Sequence, residues 1–148
     1  MTTFVFEELV NDPPATVLSA ALGTGSGELD SSADVGKGVK IGTANNYIIA
    51  TSGDEIEGVI TSVEPWTVND GYSFGGVQVD RRVTATVGAT QTGTVAVGDL
   101  VVADTQAAFG TAGTLQVQSG APTQFLWRVI RIISGTGATG DSVLLERV

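Results

Sequence analysis

Short segments such as Val83-Thr84-Ala85-Thr86-Val87 decide the fold, because apolar and polar side chains alternate along them. The same alternation is found in Val77-Gln78-Val79-Asp80. Successive side chains of a β-strand point to opposite faces of a sheet, so this pattern is typical of a strand with one buried face. The segments therefore predict half-buried strands.

The chain outside these segments has the same character from residue 38 onward. Short apolar runs, rich in Val and other β-branched residues, are separated by turn residues at intervals of about eight to twelve positions. Such spacing is typical of a sandwich or small barrel. We predict an all-β fold, a small β-barrel or sandwich of short antiparallel strands. The predicted strands are 39–41, 47–51, 58–64, 76–81, 83–87, 99–103, 115–117, 125–133 and 142–147.

Residues 125–133 are apolar on both faces apart from Arg128 and Arg131. This favours a central strand, or a strand whose second face meets another subunit, and Trp127 is expected in the core. The following Gly135-Thr136-Gly137-Ala138-Thr139-Gly140 has the spacing of a dinucleotide-binding loop. Because the few remaining residues read as a strand and not as a helix, we interpret the glycines as a hairpin loop.

The first 36 residues differ from the rest of the chain. They contain Phe4-Val5-Phe6, the pair Pro13-Pro14, a short Ala/Leu stretch at 15–22, and a segment rich in Gly, Ser and acid at 23–34. Such a stretch cannot bury enough apolar surface to offset its ordering cost of about 1 to 2 kcal/mol per residue. We predict an extended N-terminal arm at 1–36, which needs a partner surface to be ordered, and a β domain at 37–148.

Apolar residues of this arm are the predicted contacts with a partner. Phe4 and Phe6 would project from one side of an extended segment and Val5 from the other, and they either dock on a partner or pair with the domain's own sheet. Trp66 follows Pro65 near a turn-rich stretch, where it either anchors an interface or folds back on the core. The predicted interface residues are Phe4, Val5, Phe6, Leu9, Val17, Leu18 and Trp66.

The charge and the residue inventory argue against several function classes. Seven basic residues stand against sixteen acidic ones, a formal net charge of −9, and such a surface repels a phosphate backbone. The chain has no Cys and no His, so it lacks thiolate nucleophiles, imidazole bases and the usual zinc ligands. We predict no nucleic-acid binding and no enzymatic activity.

Two groups of acidic residues were considered as sites: Asp54, Glu55 and Glu57 before one predicted strand, and Asp99 and Asp104 around another. Paired carboxylates hydrolyse glycosides, and clustered oxygens bind calcium. No segment has the spacing of a calcium loop, so we interpret these residues as solvated acids that keep the surface soluble. We predict no catalytic, metal or cofactor site.

The N-terminal residues do not have the pattern of an export signal. Residues 1–10 lack a basic region and carry Glu7 and Glu8, and no run of about 18 apolar residues occurs anywhere. We expect a soluble protein that has no export signal and does not bind a membrane.

Three glycine-punctuated segments carry a likeness to a known family. They are Gly36-Lys37-Gly38-Val39-Lys40-Ile41, Glu55-Ile56-Glu57-Gly58-Val59-Ile60-Thr61-Ser62-Val63-Glu64 and Val95-Ala96-Val97-Gly98-Asp99-Leu100-Val101-Val102. In texture and motif order, the region from about residue 36 to 133 resembles the head decoration proteins, or capsid cement proteins, of tailed bacteriophages.

The resemblance implies a small β-barrel or sandwich that binds the outer surface of the expanded head and stabilises the shell, often as a trimer. The implied partners are the major capsid protein and further copies of the chain. The implied location is the virion, after assembly from the host cytoplasm. A protein repeated many times on a lattice gains from multivalent contacts, which is compatible with this role.

Two other function classes are compatible with the sequence. A β-rich fibre or spike module that binds glycans would present a shallow groove involving Trp66 or Tyr72. A carboxylate glycosidase would need two acids that face each other across a cleft, and would depend on Asp54 or Glu57.

Overall fold

The computed structural model describes residues 15–23, 29, 32–64, 73–106 and 114–148. These residues form an all-β structure with one short 3-10 helix at Ser32–Asp34 and no α-helix. Their ten strands are β1 (Val17–Ala21), β2 (Gly38–Ile41), β3 (Tyr47–Ile49), β4 (Gly58–Val63), β5 (Phe74–Gln78), β6 (Arg82–Val87), β7 (Leu100–Ala103), β8 (Leu115–Ser119), β9 (Trp127–Ile132) and β10 (Ser142–Arg147). The predicted all-β fold is confirmed.

The strands form a barrel and a second sheet. The barrel is closed in the order β10-β6-β8-β7-β9, and its pairs are antiparallel except for β6 with β8, which is parallel. The second sheet is antiparallel in the order β1-β5-β4-β2-β3. A closed barrel has no edge strand, so the free edges among the described strands belong to β1 and β3.

The two outer strands of the second sheet meet at one point. Leu22, directly after β1, forms an isolated parallel bridge with Tyr47 at the start of β3, and the Gly23 N–H donates to the Tyr47 carbonyl oxygen across 2.7 Å. Over the length of β1 itself, β5 is the one described strand that pairs with it. The sheet is therefore curved, with an opening along β1.

Each sheet has its own group of buried side chains. The larger group consists mostly of barrel residues and also includes Ala50, Ile56 and Val59 from the part of the chain that forms the second sheet. In this group Trp127 is fully buried, and its Nε1–H donates to the Ile56 carbonyl oxygen across 2.9 Å. The predicted core position of Trp127 is confirmed. The smaller group lies in the second sheet and consists of Leu22, Leu29, Val39, Ile60 and Val77.

Gln106 connects the two parts. Its Oε1 accepts the backbone N–H of Gly38 in β2 at 3.2 Å and that of Gln116 in β8 at 3.1 Å. Its Nε2 donates to the carbonyl oxygens of Asp104 and Gln116 at 2.7 and 3.0 Å. A buried amide that satisfies four backbone groups fixes β2 against the barrel.

All nine predicted strands are present, with ends that differ by a few residues, and β1 is the strand that was not predicted. It lies within the stretch assigned to the arm, where Leu22 and Leu29 are also buried. The segment Val-Leu-Ser-Ala-Ala has no clear alternation, so its strand state comes from pairing with β5. The described part of residues 1–36 is thus integrated into the sheet.

Candidate functional site

The exposed edge of β1 contains the two predicted interface residues that the structure describes. Val17 and Leu18 are 51% and 41% exposed, and they stand opposite Gln78 and Val77 of β5. The other predicted interface residues, Phe4, Val5, Phe6, Leu9 and Trp66, lie outside the described residues.

The start of β1 is fixed by a carboxylate. Asp80 accepts the backbone N–H of Thr16 on Oδ1 at 2.6 Å and the hydroxyl of Thr16 on Oδ2 at 2.7 Å. These two hydrogen bonds, the backbone one first, hold the pKa of Asp80 below its usual value. Asp80 lies in the turn between β5 and β6, so the N-terminal end of β1 is anchored where the second sheet meets the barrel.

The hydrogen-bond pattern shows which backbone groups of β1 face outward. The Thr16 carbonyl oxygen accepts from the Val79 N–H, and the Leu22 N–H donates to the Ser73 carbonyl oxygen. Antiparallel pairing alternates, so the even-numbered residues between them also face β5, and Val17, Ser19 and Ala21 point their N–H and C=O groups away from it. The backbone N–H of Gly23 also points away from β5, and it donates to the carbonyl oxygen of Tyr47.

β1 itself contains no charged side chain. β1 reads Val-Leu-Ser-Ala-Ala, without a charge or a proline. Phe74 of β5, which stands opposite Ala21, is 43% exposed. Natural edge strands are usually protected by lysine, proline, a bulge or a covering segment, because open backbone groups pair with other chains. The described residues provide none of these along β1.

A cleft lies beside the C-terminal half of β1. It has a volume of about 300 Å³ and is bounded on the other side by the hairpin between β2 and β3. Its lining residues are Ser19, Ala20, Ala21, Ile41, Asn45, Asn46 and Tyr47. Ala20 and Tyr47 also pack against the smaller core, and Ile41 is 54% exposed. The cleft thus continues the apolar interior of the sheet to its open edge.

Sequence reasoning named Val17 and Leu18 but did not identify the edge or the cleft. Ser19 and Ala21 contribute through their backbone, which carries no sequence signal. Ile41 and Tyr47 were assigned to strands only. The lack of any charge from Pro13 to Gly27 is the one feature of the sequence that marks this region.

The acidic residues that the sequence predicts to be solvated also hold loops through backbone N–H groups. Asp54 accepts from the N–H and hydroxyl of Thr51 and pairs with Lys40 at 2.8 Å, and its pKa is lowered despite partial burial. Asp99 accepts the Ala96 N–H at 2.8 Å. Asp104 is fully buried and accepts the Thr90 N–H at 2.9 Å. These carboxylates stabilise the loops that they bond, a role that their position in the sequence did not indicate.

Glu55 is the clearest case. Its two oxygens accept the backbone N–H groups of Thr123, Gln124 and Phe125 at 2.6 to 2.9 Å, and Oε1 also accepts the Thr123 hydroxyl. The backbone hydrogen bonds from Thr123 and Phe125, in that order, lower the pKa of Glu55 to about 2. The carboxylate therefore stays ionised, with its oxygens directed at a loop.

The glycine-rich loop at 135–140 connects β9 to β10, which pair as an antiparallel hairpin, so the predicted hairpin is confirmed. Asp141 Oδ2 accepts the N–H groups of Thr136, Gly137 and Ala138 at 2.8, 3.0 and 3.0 Å. The backbone donors that would hold a phosphate in a dinucleotide loop are thus directed at a carboxylate of the same chain.

Within the described ranges, no three His, Cys, Asp or Glu residues are grouped so that they could hold a metal ion. The same part of the chain contains no helix long and apolar enough to cross a bilayer. Comparisons with protein-family models, with curated proteins and with solved structures found no match.

Proposed function

We propose that this chain is a decoration, or cement, protein that binds the outer surface of a tailed-phage head and stabilises the shell. The observation that carries the proposal is the unprotected edge of β1, a strand without charged residues that follows an N-terminal segment containing Phe4-Val5-Phe6. An open strand edge gives affinity through main-chain hydrogen bonds, and exposed apolar side chains beside it add specificity. This surface suits a partner, whereas no described cluster suits a reaction.

The segments that resemble decoration proteins support the proposal. They correspond to β2 with its preceding turn, to β4 with the residues before it, and to β7 with its preceding loop. The proposed partners are the major capsid protein and further copies of the chain, as a homotrimer. Its place is the outer surface of the virion capsid, reached from the host cytoplasm.

Stabilisation of the shell then follows from mass action. A protein that binds the assembled lattice and not its separated subunits stabilises the lattice. Several linked contacts on one shell raise the effective concentration of each, so weak individual edges are sufficient. The net charge of −9 keeps the free protein soluble before assembly.

The test is co-sedimentation with expanded empty heads of the virus that encodes the chain. Truncation through Leu22 would remove β1 and a buried core residue, so substitutions separate binding from folding better. We expect the full-length protein to bind saturably and to raise the temperature at which the heads dissociate. Phe6→Asp and Leu18→Asp should each weaken binding at least about tenfold, the effect of about 1.4 kcal/mol.

Val97→Asp is the matched control, since Val97 is 62% exposed and lies in the loop between β6 and β7 of the barrel, outside the second sheet. It should bind as the unchanged protein does. Undiminished binding of the Phe6 and Leu18 variants would contradict a role for this edge. Failure of the unchanged protein to bind heads, together with binding on a glycan array, would favour the fibre, spike or glycan-binding module.

A further inference from the structure

We infer that the open edge of β1 binds residues 4–10 of a neighbouring copy of this chain, so that copies are joined by exchange of their N-terminal segments. The inference deepens the proposed function by naming the partner of β1. Residues 4–10 lie outside the described residues, and their sequence supplies the donor side of the pairing.

The acceptor side is a row of backbone groups. Val17, Ser19 and Ala21 face away from β5, and the next outward residue, Gly23, bonds to Tyr47 of β3. The edge is therefore already paired at its C-terminal end, where Leu22 bridges Tyr47, and no described strand other than β5 pairs along the rest of β1. An added strand completes the pairing between β1 and the β2–β3 hairpin.

Apolar surface on both faces of the edge fits a strand with apolar residues on both of its own faces. On the inner face, the cleft beside Ala20 is lined by Ile41 and Tyr47. On the outer face, Val17 and Phe74 are exposed. In Phe4-Val5-Phe6, the two Phe side chains project from one face of a strand and Val5 from the other.

The sequence before β1 favours a neighbouring copy over the chain's own edge. Asp12 and Pro13 each precede a proline, which drives both out of the helical region into extended conformations. Pro14 is also disfavoured at the third position of a type I turn, the place it would take in a tight return from Asp12. Because Thr16 is fixed to Asp80, we expect from the sequence that the chain continues away from β1 without a tight return. The segment 1–14 spans up to about 46 Å when extended, which reaches an adjacent molecule.

Exchange of this kind has a consequence for symmetry. Each copy gives one segment and accepts one, so the contact is head-to-tail, and a head-to-tail contact closes into a ring when the rotation permits. A three-membered ring is the trimer that the resemblance implies.

Amide hydrogen exchange resolved by residue tests the edge in the full-length chain. The amides of Val17, Ser19 and Ala21 should be protected like those of Leu18 and Ala20. In the donor-defective variant Phe4→Asp/Phe6→Asp, the three outward amides should lose protection while Leu18 and Ala20 keep theirs. Loss at all five positions would instead mean that β1 itself unfolds, and equal protection in both proteins would overturn the inference.

Mixing tests the exchange between copies. Ser19→Pro removes an outward N–H without removing a hydrogen bond to β5, and makes the edge acceptor-defective. Ser19→Lys keeps the N–H and instead places a charge at the edge, which opposes pairing in the way natural edge lysines do. Native mass spectrometry measures the assembly state. Each defective variant should be monomeric alone, whereas a mixture of the donor-defective and the acceptor-defective variants should form a heterodimer. Ser19→Thr, which keeps the N–H and adds one methyl, is the matched control and should assemble as the unchanged chain does.

These measurements need no phage heads. If the protein assembles in solution but does not bind heads, the exchange of N-terminal segments is retained and the proposed function is rejected. If a strictly monomeric protein binds heads, the proposed function is retained and the exchange is rejected. A full-length chain that is monomeric up to about 1 mM, where even weak complexes are populated, overturns the inference. Protected outward amides in such a monomer would show that the segment pairs with its own β1.

Discussion

Thr123 directs both its backbone N–H and its hydroxyl at Oε1 of Glu55, across 2.6 and 2.9 Å, although 68 residues separate the two in the chain. Glu55 precedes β4 of the second sheet, and Thr123 lies in the loop between β8 and β9 of the barrel. One carboxylate thus ties a barrel loop to the other sheet. The glutamate's pKa of about 2 records these hydrogen bonds.

Glu55→Gln should lower the free energy of unfolding at neutral pH and have little effect near pH 2. The pKa of Glu55 in the folded protein is depressed from its ordinary value of 4.5 to about 2, so the carboxylate stabilises the fold above about pH 4.5 and loses this effect as the pH falls toward 2. Urea unfolding of both proteins at several pH values measures the difference. Glu64→Gln removes the same charge at an exposed side chain. At neutral pH, Glu55→Gln should lower the free energy of unfolding by more than Glu64→Gln does. If the stability difference between the unchanged protein and Glu55→Gln does not vary with pH, the lowered pKa of Glu55 is contradicted.

Trp127→Phe should destabilise the barrel by about 2 to 4 kcal/mol, since it removes buried area and leaves a cavity. It also removes the Nε1–H that donates to the Ile56 carbonyl oxygen, and an unmade buried hydrogen bond adds to the cost. Thermal unfolding followed by circular dichroism measures the loss. Ile133→Val removes apolar volume at a side chain that is 43% exposed and should change stability by less than about 0.5 kcal/mol. Equal effects of the two would refute the packing argument.

Gln106→Leu should cost at least about 2 kcal/mol, because a side chain of similar size cannot satisfy the backbone groups that Gln106 now bonds. Those groups belong to Gly38, Asp104 and Gln116. The Gly38 amide should also exchange faster with solvent, as β2 loses its link to the barrel. Gln124→Leu, an exposed glutamine, is the control and should leave both readouts unchanged. A stable Gln106→Leu protein with a protected Gly38 amide would exclude the linking role.

Asp141→Ala should lower stability by about 1 to 3 kcal/mol, the range for hydrogen bonds to a charged group. Three loop N–H groups lose their acceptor, so the amides of Thr136, Gly137 and Ala138 should exchange faster. Thr136→Ala changes the same loop but keeps its N–H, and should retain protection at 137 and 138. If Asp141→Ala leaves the loop amides protected, the carboxylate does not organise the loop.

The sequence predicted strands where alternation or β-branched runs were present, as in Val83–Val87 and around Trp127. β1 escaped because its Leu and Ala residues have no strand preference, and its state depends on the opposite residues Gly75 and Gly76 of β5. An added Cβ at Gly75 would clash with the Ser62 carbonyl oxygen and contact Leu22, so these glycines permit the close strand approach. Contacts of that kind are long-range and carry no local pattern.

The candidate site was predictable only in part. Val17 and Leu18 could be named because they are larger apolar residues of the short Ala/Leu stretch at 15–22. The open backbone edge and the cleft depend on the order of strands, which alternation does not determine. The loop-holding role of Glu55 was not predicted, because a carboxylate that accepts loop N–H groups has the same sequence appearance as one that is only solvated.

The attachment of Thr16 to Asp80 also determines how the molecule responds to mechanical load. Tension applied to Thr16 along the axis of β1 loads the backbone bonds to β5 in shear, because these bonds lie perpendicular to the strand axis. The bonds must then fail together by sliding and cannot be peeled apart one at a time.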